Sequence, residues 1–287
     1  MQLHKLTSTD GFIAFDLDDA PAVGVVRLAK KVLRDGAELL ARSTTYSAAC
    51  FGLQVRGASG GLNALPEGRD AAVAAFVEEV SELVAADRWL PGPGVGITAE
   101  DMAALPQADK RAAAFSETAA GESAVAAALG ALGSLDGKRL AIVGSGPAAE
   151  AAAASAAANG ATAESKASFD ADCDALLVAG KAGVLEHDLA ATVKAGVVVP
   201  LSPVPVTARA LAVLGRAGTV VVPDFLSTAG PLLAAFDPDG GDPMERVCAA
   251  VGQLAPEGTG LWMAAIAQAE DFLRTWQPEL PFGRPLA

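Results

Sequence analysis

Gly144-x-Gly146-x-x-Ala149 is the short motif in this 287-residue chain whose spacing suggests chemistry. It follows the apolar run Arg139–Val143 and opens a long alanine-rich helix, the position of a dinucleotide-binding turn. The first glycine permits the tight turn. The second lets backbone amides approach a pyrophosphate, and the helix start favours the anion. Gly144, Ser145, Gly146, Pro147 and Ala148 are therefore the candidate cofactor contacts, although close strand–helix packing selects small residues at the same places. Histidine and metal chemistry offer no competing site. His4 and His187 lie far apart without a second ligand-type residue at metal spacing, and neither CxxC nor HExxH occurs, so no metal is expected. Cys50, Cys173 and Cys248 are odd in number and widely spaced, which argues against a disulfide framework and for a reducing compartment.

The elements that must position such a turn are legible in outline. Gly11–Asp16 alternates apolar residues as a strand does. Val23–Val26 is a second apolar run, leading into a helical pattern from Leu28 to Arg42. Glu67–Asp70 opens another helix, whose Val73, Phe76, Val77, Val80, Leu83 and Val84 recur at three- and four-residue steps. Pro91-Gly92-Pro93-Gly94 reads as a loop closing that unit. A small-residue helix follows over Ser116–Gly133. Beyond it, strand-like runs at Arg139–Val143, Ala175–Ala179, Val197–Val199 and Val220–Val222 alternate with helices, which implies a parallel sheet covered on both faces. The predicted class is α/β: an N-terminal α/β domain over residues 1–118 and a Rossmann-like domain with a shortened parallel sheet over 119–287. The shortening follows from the gap between a strand at Gly160–Glu164 and the next at Ala175, too narrow for a helix and a strand. Glu164 and Asp170 are the nearby acids, and neither reads as a strand end.

Net charge is −13 with a pI near 4.6, a surface that repels phosphate backbones and anionic lipid. Nucleic acid and membrane are thus excluded as expected partners. No signal-type leader opens the chain, and no apolar run approaches the roughly 20 residues of a membrane span. A cytoplasmic protein is expected.

Thr45-Tyr46-Ser47-Ala48-Ala49-Cys50-Phe51-Gly52-Leu53, continuing through Arg56-Gly57-Ala58-Ser59-Gly60-Gly61, resembles the substrate-site segment of the Glu/Leu/Phe/Val (amino-acid) dehydrogenases without a gap. Asn63-x-x-Pro66-Glu67-Gly68-Arg69-Asp70 and Arg88–Ile97 with Asp101-Met102 resemble the two segments that follow in that family. Gly137–Gly146 and Val222–Gly230 resemble its dinucleotide turn and a later loop. Five motifs in the family's order implicate nearly the whole chain. The resemblance implies a substrate and oligomerisation domain, a Rossmann domain, a cleft between them, NAD or NADP as cofactor, an amino or oxo acid as substrate, and a homo-oligomer. Half-exposed strands such as Gly11–Asp16 would need that oligomer to cover them.

The chemistry is where this chain departs. The family's carboxylate-binding lysine, its catalytic lysine and its proton-shuttling aspartate correspond to Ser47, Ser59 and Gly94. A hydroxyl carries no positive charge and is a poor base, and glycine accepts no proton. Pro200-Leu201-Ser202-Pro203 replaces a glycine–asparagine stretch near the nicotinamide ribose, and Thr228 replaces another asparagine. Ser123 stands where the family has a hydroxyl near the nicotinamide amide. Arg27, after Gly24, and Arg56 are the cations placed near the substrate site, and Arg56 could grip a carboxylate bidentately. Two readings stay open: an NAD(P)-linked oxidoreductase of altered chemistry on an amino acid, oxo acid or imine, and a catalytically inactive oligomeric binding or scaffold protein. Weak dinucleotide binding is expected in either.

Overall fold

A computed structural model describes residues 1–18, 20–280 and 283–287. The chain divides into two compact units, Met1–Phe115 with Leu273–Pro285, and Ser116–Phe272 with Leu286–Ala287.

The first unit runs β1 (Gln2–Lys5), β2 (Gly11–Phe15), β3 (Ala22–Ala29), α1 (Arg34–Cys50), β4 (Arg56–Asn63), α2 (Arg69–Ala85), β5 (Trp89–Pro93) and α3 (Ala108–Ala114). Its five-stranded sheet has the order β1-β2-β4-β3-β5, with β3 parallel to β4 and β5 and the β1-β2-β4 pairs antiparallel. The strand at residues 11–15 is interior, flanked by β1 and β4, and largely buried. It needs no partner subunit to cover it; the exposed edge belongs to β1, whose four residues are all exposed. Two further readings are corrected. β3 continues through Leu28 and Ala29, which pair with Leu62 and Asn63, so the helix starts only at Arg34. Residues 89–93 form a strand rather than a loop, because an edge strand leaves every second amide unused and so tolerates Pro91 and Pro93.

Strand alternation assigns the two faces of this sheet. Val26, Ala58 and Leu62 point to a core shared with Phe76, Val80 and Val84 from the apolar stripe of α2 and with Trp89 of β5. The other face carries α1, which lies so close that a Cβ at Gly57 would overlap the Ala41 carbonyl oxygen. Thr45 fastens the helix there, accepting the Gly57 amide at 2.9 Å. A buried ion pair ties the unit together. Arg42 Nε donates to both Asp16 carboxylate oxygens at 2.7 and 2.8 Å, and Nη1 to the Gly283 carbonyl of the returning C-terminal segment.

The second unit comprises α4 (Glu117–Leu132), β6 (Arg139–Val143), α5 (Pro147–Ala158), β7 (Thr162–Ser165), β8 (Ala175–Val178), α6 (His187–Ala190), β9 (Val197–Pro200), α7 (Ala208–Arg216), β10 (Val220–Val221), α8 (Asp224–Ser227), α9 (Gly230–Phe236), α10 (Pro243–Leu254) and α11 (Leu261–Leu273). Its sheet, β10-β9-β8-β6-β7, is parallel throughout. A dinucleotide fold has six strands in the order 3-2-1-4-5-6. Here β6 and β7 are the first two and β8 the fourth, so the third strand and its helix are replaced by the short turn 166–174. Ser116 caps α4 through the Ala119 amide at 3.2 Å, and Gly133 ends it in the left-handed region, φ 74°. Among the described residues no helix is long and apolar enough to cross a membrane.

The Arg42–Asp16 pair yields the first prediction. Asp16→Ala strands a buried guanidinium and lowers stability by about 3 kcal/mol, read from the urea midpoint. An unchanged midpoint contradicts the role given to the pair.

Candidate functional site

Ser59 and Arg27 share the α1 face of the first sheet, because β4 and β3 pair with Arg27 opposite Gly61 and both side chains fall on odd positions. Ser59 is fully buried, and its hydroxyl donates to the Val25 carbonyl at 3.3 Å. Its proton therefore has a fixed acceptor, and no carboxylate or imidazole adjoins it in its hydrogen bonds. Arg27 reaches over the first turn of α1. A Cβ at Gly36 would lie 3.6 Å from its Nη1, and one at Gly94 would lie 3.0 Å from its Cγ. Among the described residues its Nε and Nη2 are buried without a hydrogen-bond partner, and burial lowers its pKa from the ordinary value. Guanidinium nitrogens buried without an acceptor are costly even in a half-buried side chain, and an anion arriving from solution would relieve that cost.

Gly94 follows β5 and rests on the end of β3. An added Cβ would sit 2.7 Å from the Val26 carbonyl oxygen and 3.2 Å from the Val25 Cβ. The same loop is held by the Leu28 amide, which donates to the Val95 carbonyl at 2.8 Å. Farther on, Arg69 donates to Asp101, whose carboxylate also takes the Thr98 amide at 2.7 Å. Asn63 Oδ1 accepts the Val32 amide at 2.8 Å ahead of α1. Most of the motif residues noted in the sequence are thus fasteners of loops rather than reactive groups. Ser47 is buried within α1, and Cys50 at the end of the same helix has its thiol pushed up by burial, away from nucleophilic use.

Arg56 does not join these residues. It occupies an even position of β4, on the α2 face, and its Nη1 donates to the Leu17 carbonyl. Its guanidinium carbon lies 4.6 Å from the centre of the Phe15 ring. The expectation that it grips a carboxylate beside Ser59 fails on strand parity.

In the second unit, Gly144 (φ 107°) and Gly146 (φ 104°) make the turn from β6 into α5. A Cβ at Gly144 would meet that of Ala179 at 2.8 Å, whereas nothing lies within 4 Å of one at Gly146, leaving the approach to the turn open. Ser145 is exposed there, Pro147 is the first helical residue and lacks an amide, and Ala148 follows. Glu150 in the first turn adds a negative charge where a pyrophosphate would lie. Glu164 is the penultimate residue of β7, which runs to Ser165; it is exposed and paired with Ala141. That is where a dinucleotide ribose finds its acid.

The hydroxyls expected near a nicotinamide are engaged within the protein. Ser123 is fully buried and accepts the Gly230 amide at 3.0 Å. Thr228 donates to the Asp224 carbonyl at 2.7 Å. Ser202 bridges the ends of β8 and β9, accepting the Gly180 amide at 3.0 Å and donating to its carbonyl at 2.8 Å. Asp224 accepts the amide of Val204, which it holds in the left-handed region at φ 54°. For a dinucleotide, the phosphate turn and the ribose acid fit. The adenine side lacks the third strand, and the nicotinamide side has its polar groups turned inward. A concavity of about 740 Å3 in this unit includes none of these residues; it lies over α4 between α5 and α10, and its lining includes Ala151, Leu129 and Met244. Among the described residues no group of three His, Cys, Asp or Glu could hold a metal.

Comparison with known proteins follows the same outline. Residues 4–110 match the Glu/Leu/Phe/Val dehydrogenase dimerisation domain. The fold is similar to that of the hetero-hexameric glutamate dehydrogenase of Thermus thermophilus in its leucine-bound form, at TM-score 0.75 and 23% identity over 95% of this chain and 86% of that one. It is similar to the L-tryptophan dehydrogenase of Nostoc punctiforme at TM-score 0.69 and 20% identity, over 96% of each chain. Glutamate dehydrogenase of Plasmodium falciparum matches at TM-score 0.77 and 12% identity, over 95% and 80%. No curated protein gives a significant match.

The contact at Gly94 predicts that even one added carbon is resisted. Gly94→Ala should destabilise by about 1–3 kcal/mol, measured by urea denaturation, since β3 and the following loop must part to admit it. A neutral or stabilising effect would mean that the loop yields freely.

Proposed function

We propose, from the premise that this chain belongs through residues 4–110 to the Glu/Leu/Phe/Val dehydrogenase family, that it binds a small carboxylate, an amino or oxo acid, without catalysing oxidative deamination. The observation that carries this reading is the position of Gly94 against the Val26 carbonyl, which leaves no room for a proton-shuttling side chain. Buried Ser59 has no general base among its hydrogen-bond partners, and the unpartnered Arg27 supplies the charge for a carboxylate. Dinucleotide binding is proposed to be weak, in the range of hundreds of micromolar or more. A second reading, an NAD(P)-linked oxidoreductase of altered chemistry, draws support from the open Gly144–Gly146 turn and from Glu164 near the end of β7.

The test separates them. Each missing acid–base group typically costs about 10²–10⁴ in rate, so deamination should be undetectable. The assay follows NADH and NADPH absorbance with all the standard amino acids, and in reverse with ammonia and the oxo acids, beside calorimetric titration of both dinucleotides. Turnover, or low-micromolar affinity, selects the second reading.

The relatives carry the idea of assembly, since one is hetero-hexameric and the matched domain is named for dimerisation. The exposed edge strand β1 is proposed as part of such a contact. Light scattering should give a mass at least twice that of the 28.7 kDa chain. A monomer mass at every concentration would rule the assembly out.

A further inference from the structure

The concavity over α4 in the second unit is independent of the function proposed above, and two glycines account for its construction. At Gly121 an added Cβ would lie 2.2 Å from the Ala148 carbonyl oxygen, and at Gly130 it would lie 2.4 Å from that of Cys248. α5 and α10 therefore meet α4 backbone against backbone. The two glycines are nine residues apart, about two and a half turns, so the neighbours lie on opposite sides of α4. Thr118, Glu122, Val125 and Leu129 recur at four-, three- and four-residue steps on the face between those contacts. That face is the floor of a groove of about 740 Å3, within the usual size range of small-molecule sites. Ala151, Ala154 and Ala158 of α5 form one wall, and Met244 and Cys248 of α10 the other.

Charge distinguishes one end of this groove. An added Cβ at Gly230 would meet both Met244 Cε at 2.7 Å and Ser123 Cβ at 2.9 Å, so α10 begins beside the first turns of α4. Glu122 precedes Ser123 and Glu245 follows Met244, which brings two carboxylates of the lining to that end. Both are exposed, and among the described residues neither forms an ion pair. The charged residues of the three helices are Glu117, Glu122, Glu150, Glu245 and Arg246. Arg246, the one cation, pairs with Asp237 at 2.9 Å outside the lining. The positive helix ends are answered separately. Asp242 accepts the Met244 and Glu245 amides at 2.8 and 2.9 Å, and Ser116 caps α4. Away from the carboxylates the floor is apolar, and the polar rim is Ser155 and Asn159, whose Nδ2 donates to the Ser155 carbonyl at 2.8 Å.

We propose that this groove binds a small amphipathic cation, its ammonium head at Glu122 and Glu245 and its apolar body along Val125 and Leu129 between the two walls. The test is calorimetric titration of the full chain with hexylamine, with hexanoate as the anionic control and methylamine as the head without a body. Hexylamine should bind, and neither control should. Cys50 and Cys173 are buried, so iodoacetamide labelling of the native chain reports on Cys248, and hexylamine should slow it. Replacing both acids, Glu122→Gln with Glu245→Gln, changes exposed positions that folding tolerates and should weaken hexylamine about fivefold. Ala154→Leu, also at an exposed position, fills the groove and should abolish binding and protection while leaving the mass by light scattering unchanged. No hexylamine binding, equal affinity for either control, unprotected Cys248, or affinity unchanged in the double variant or in Ala154→Leu would each overturn the proposal. A mass that falls in Ala154→Leu would overturn it too, by assigning the groove to a second copy of the chain.

Discussion

The carbonyl oxygen of Val26 lies 2.7 Å from where a Cβ at residue 94 would stand. This one contact sets the distance between the end of β3 and the loop after β5. With it come the bond from the Leu28 amide to Val95 and the fastening of Asp101 onto Arg69. A loop held this close to a strand cannot present a side chain from residue 94 to anything bound beyond the strand ends. Glycine at residue 94 is therefore what this backbone packing admits. Ser59 is sealed under α1 with its proton committed to Val25, while Arg27, beside Gly94 and Gly36, has the unsatisfied charge. It is on this arrangement that the proposed carboxylate binding rests.

The second unit shows a parallel economy. Deleting one strand and one helix leaves a parallel sheet of five strands with β7 at its edge. The phosphate turn survives because it depends only on β6 and α5 and on the two glycines between them. Glu164 keeps the place where a dinucleotide fold carries its ribose acid because that place depends only on β7. What disappears is whatever the third strand would have walled. Ser123, Thr228, Ser202 and Asp224 now hold backbone together.

Much of this architecture was legible in the sequence, for a physical reason. Loop fasteners such as Asn63 with Val32, Arg69 with Asp101 and Thr45 with Gly57 require particular residue types at particular spacings, so they stand out as motifs in the sequence. The missing strand was visible as arithmetic, since the roughly ten residues between Glu164 and Ala175 cannot hold a helix and a strand. Other features depend on register and neighbours, which spacing does not reveal. Arg56 and Ser59 stand three apart on β4 and so must face oppositely, a parity that can be read only once residues 56–63 are known to be a strand. The strand at 89–93 is possible because it has a single neighbour, something Pro91 and Pro93 alone do not announce. Gln2–Lys5 has no apolar signature because all four residues are exposed.

The central claim is that deamination is lost through backbone geometry as well as through side chains. Its most direct test is the triple variant Ser47→Lys, Ser59→Lys, Gly94→Asp, assayed for NAD- and NADP-dependent deamination of leucine, valine, phenylalanine and glutamate after circular dichroism has established that it folds. The account predicts no turnover above background, because the aspartate cannot settle against Val26 and the cofactor lacks its third-strand wall. Turnover restored to within a few hundredfold of an ordinary dehydrogenase, of order 10 s⁻¹, would contradict it, showing that the loop and the cofactor site were intact and that only three side chains had been lost.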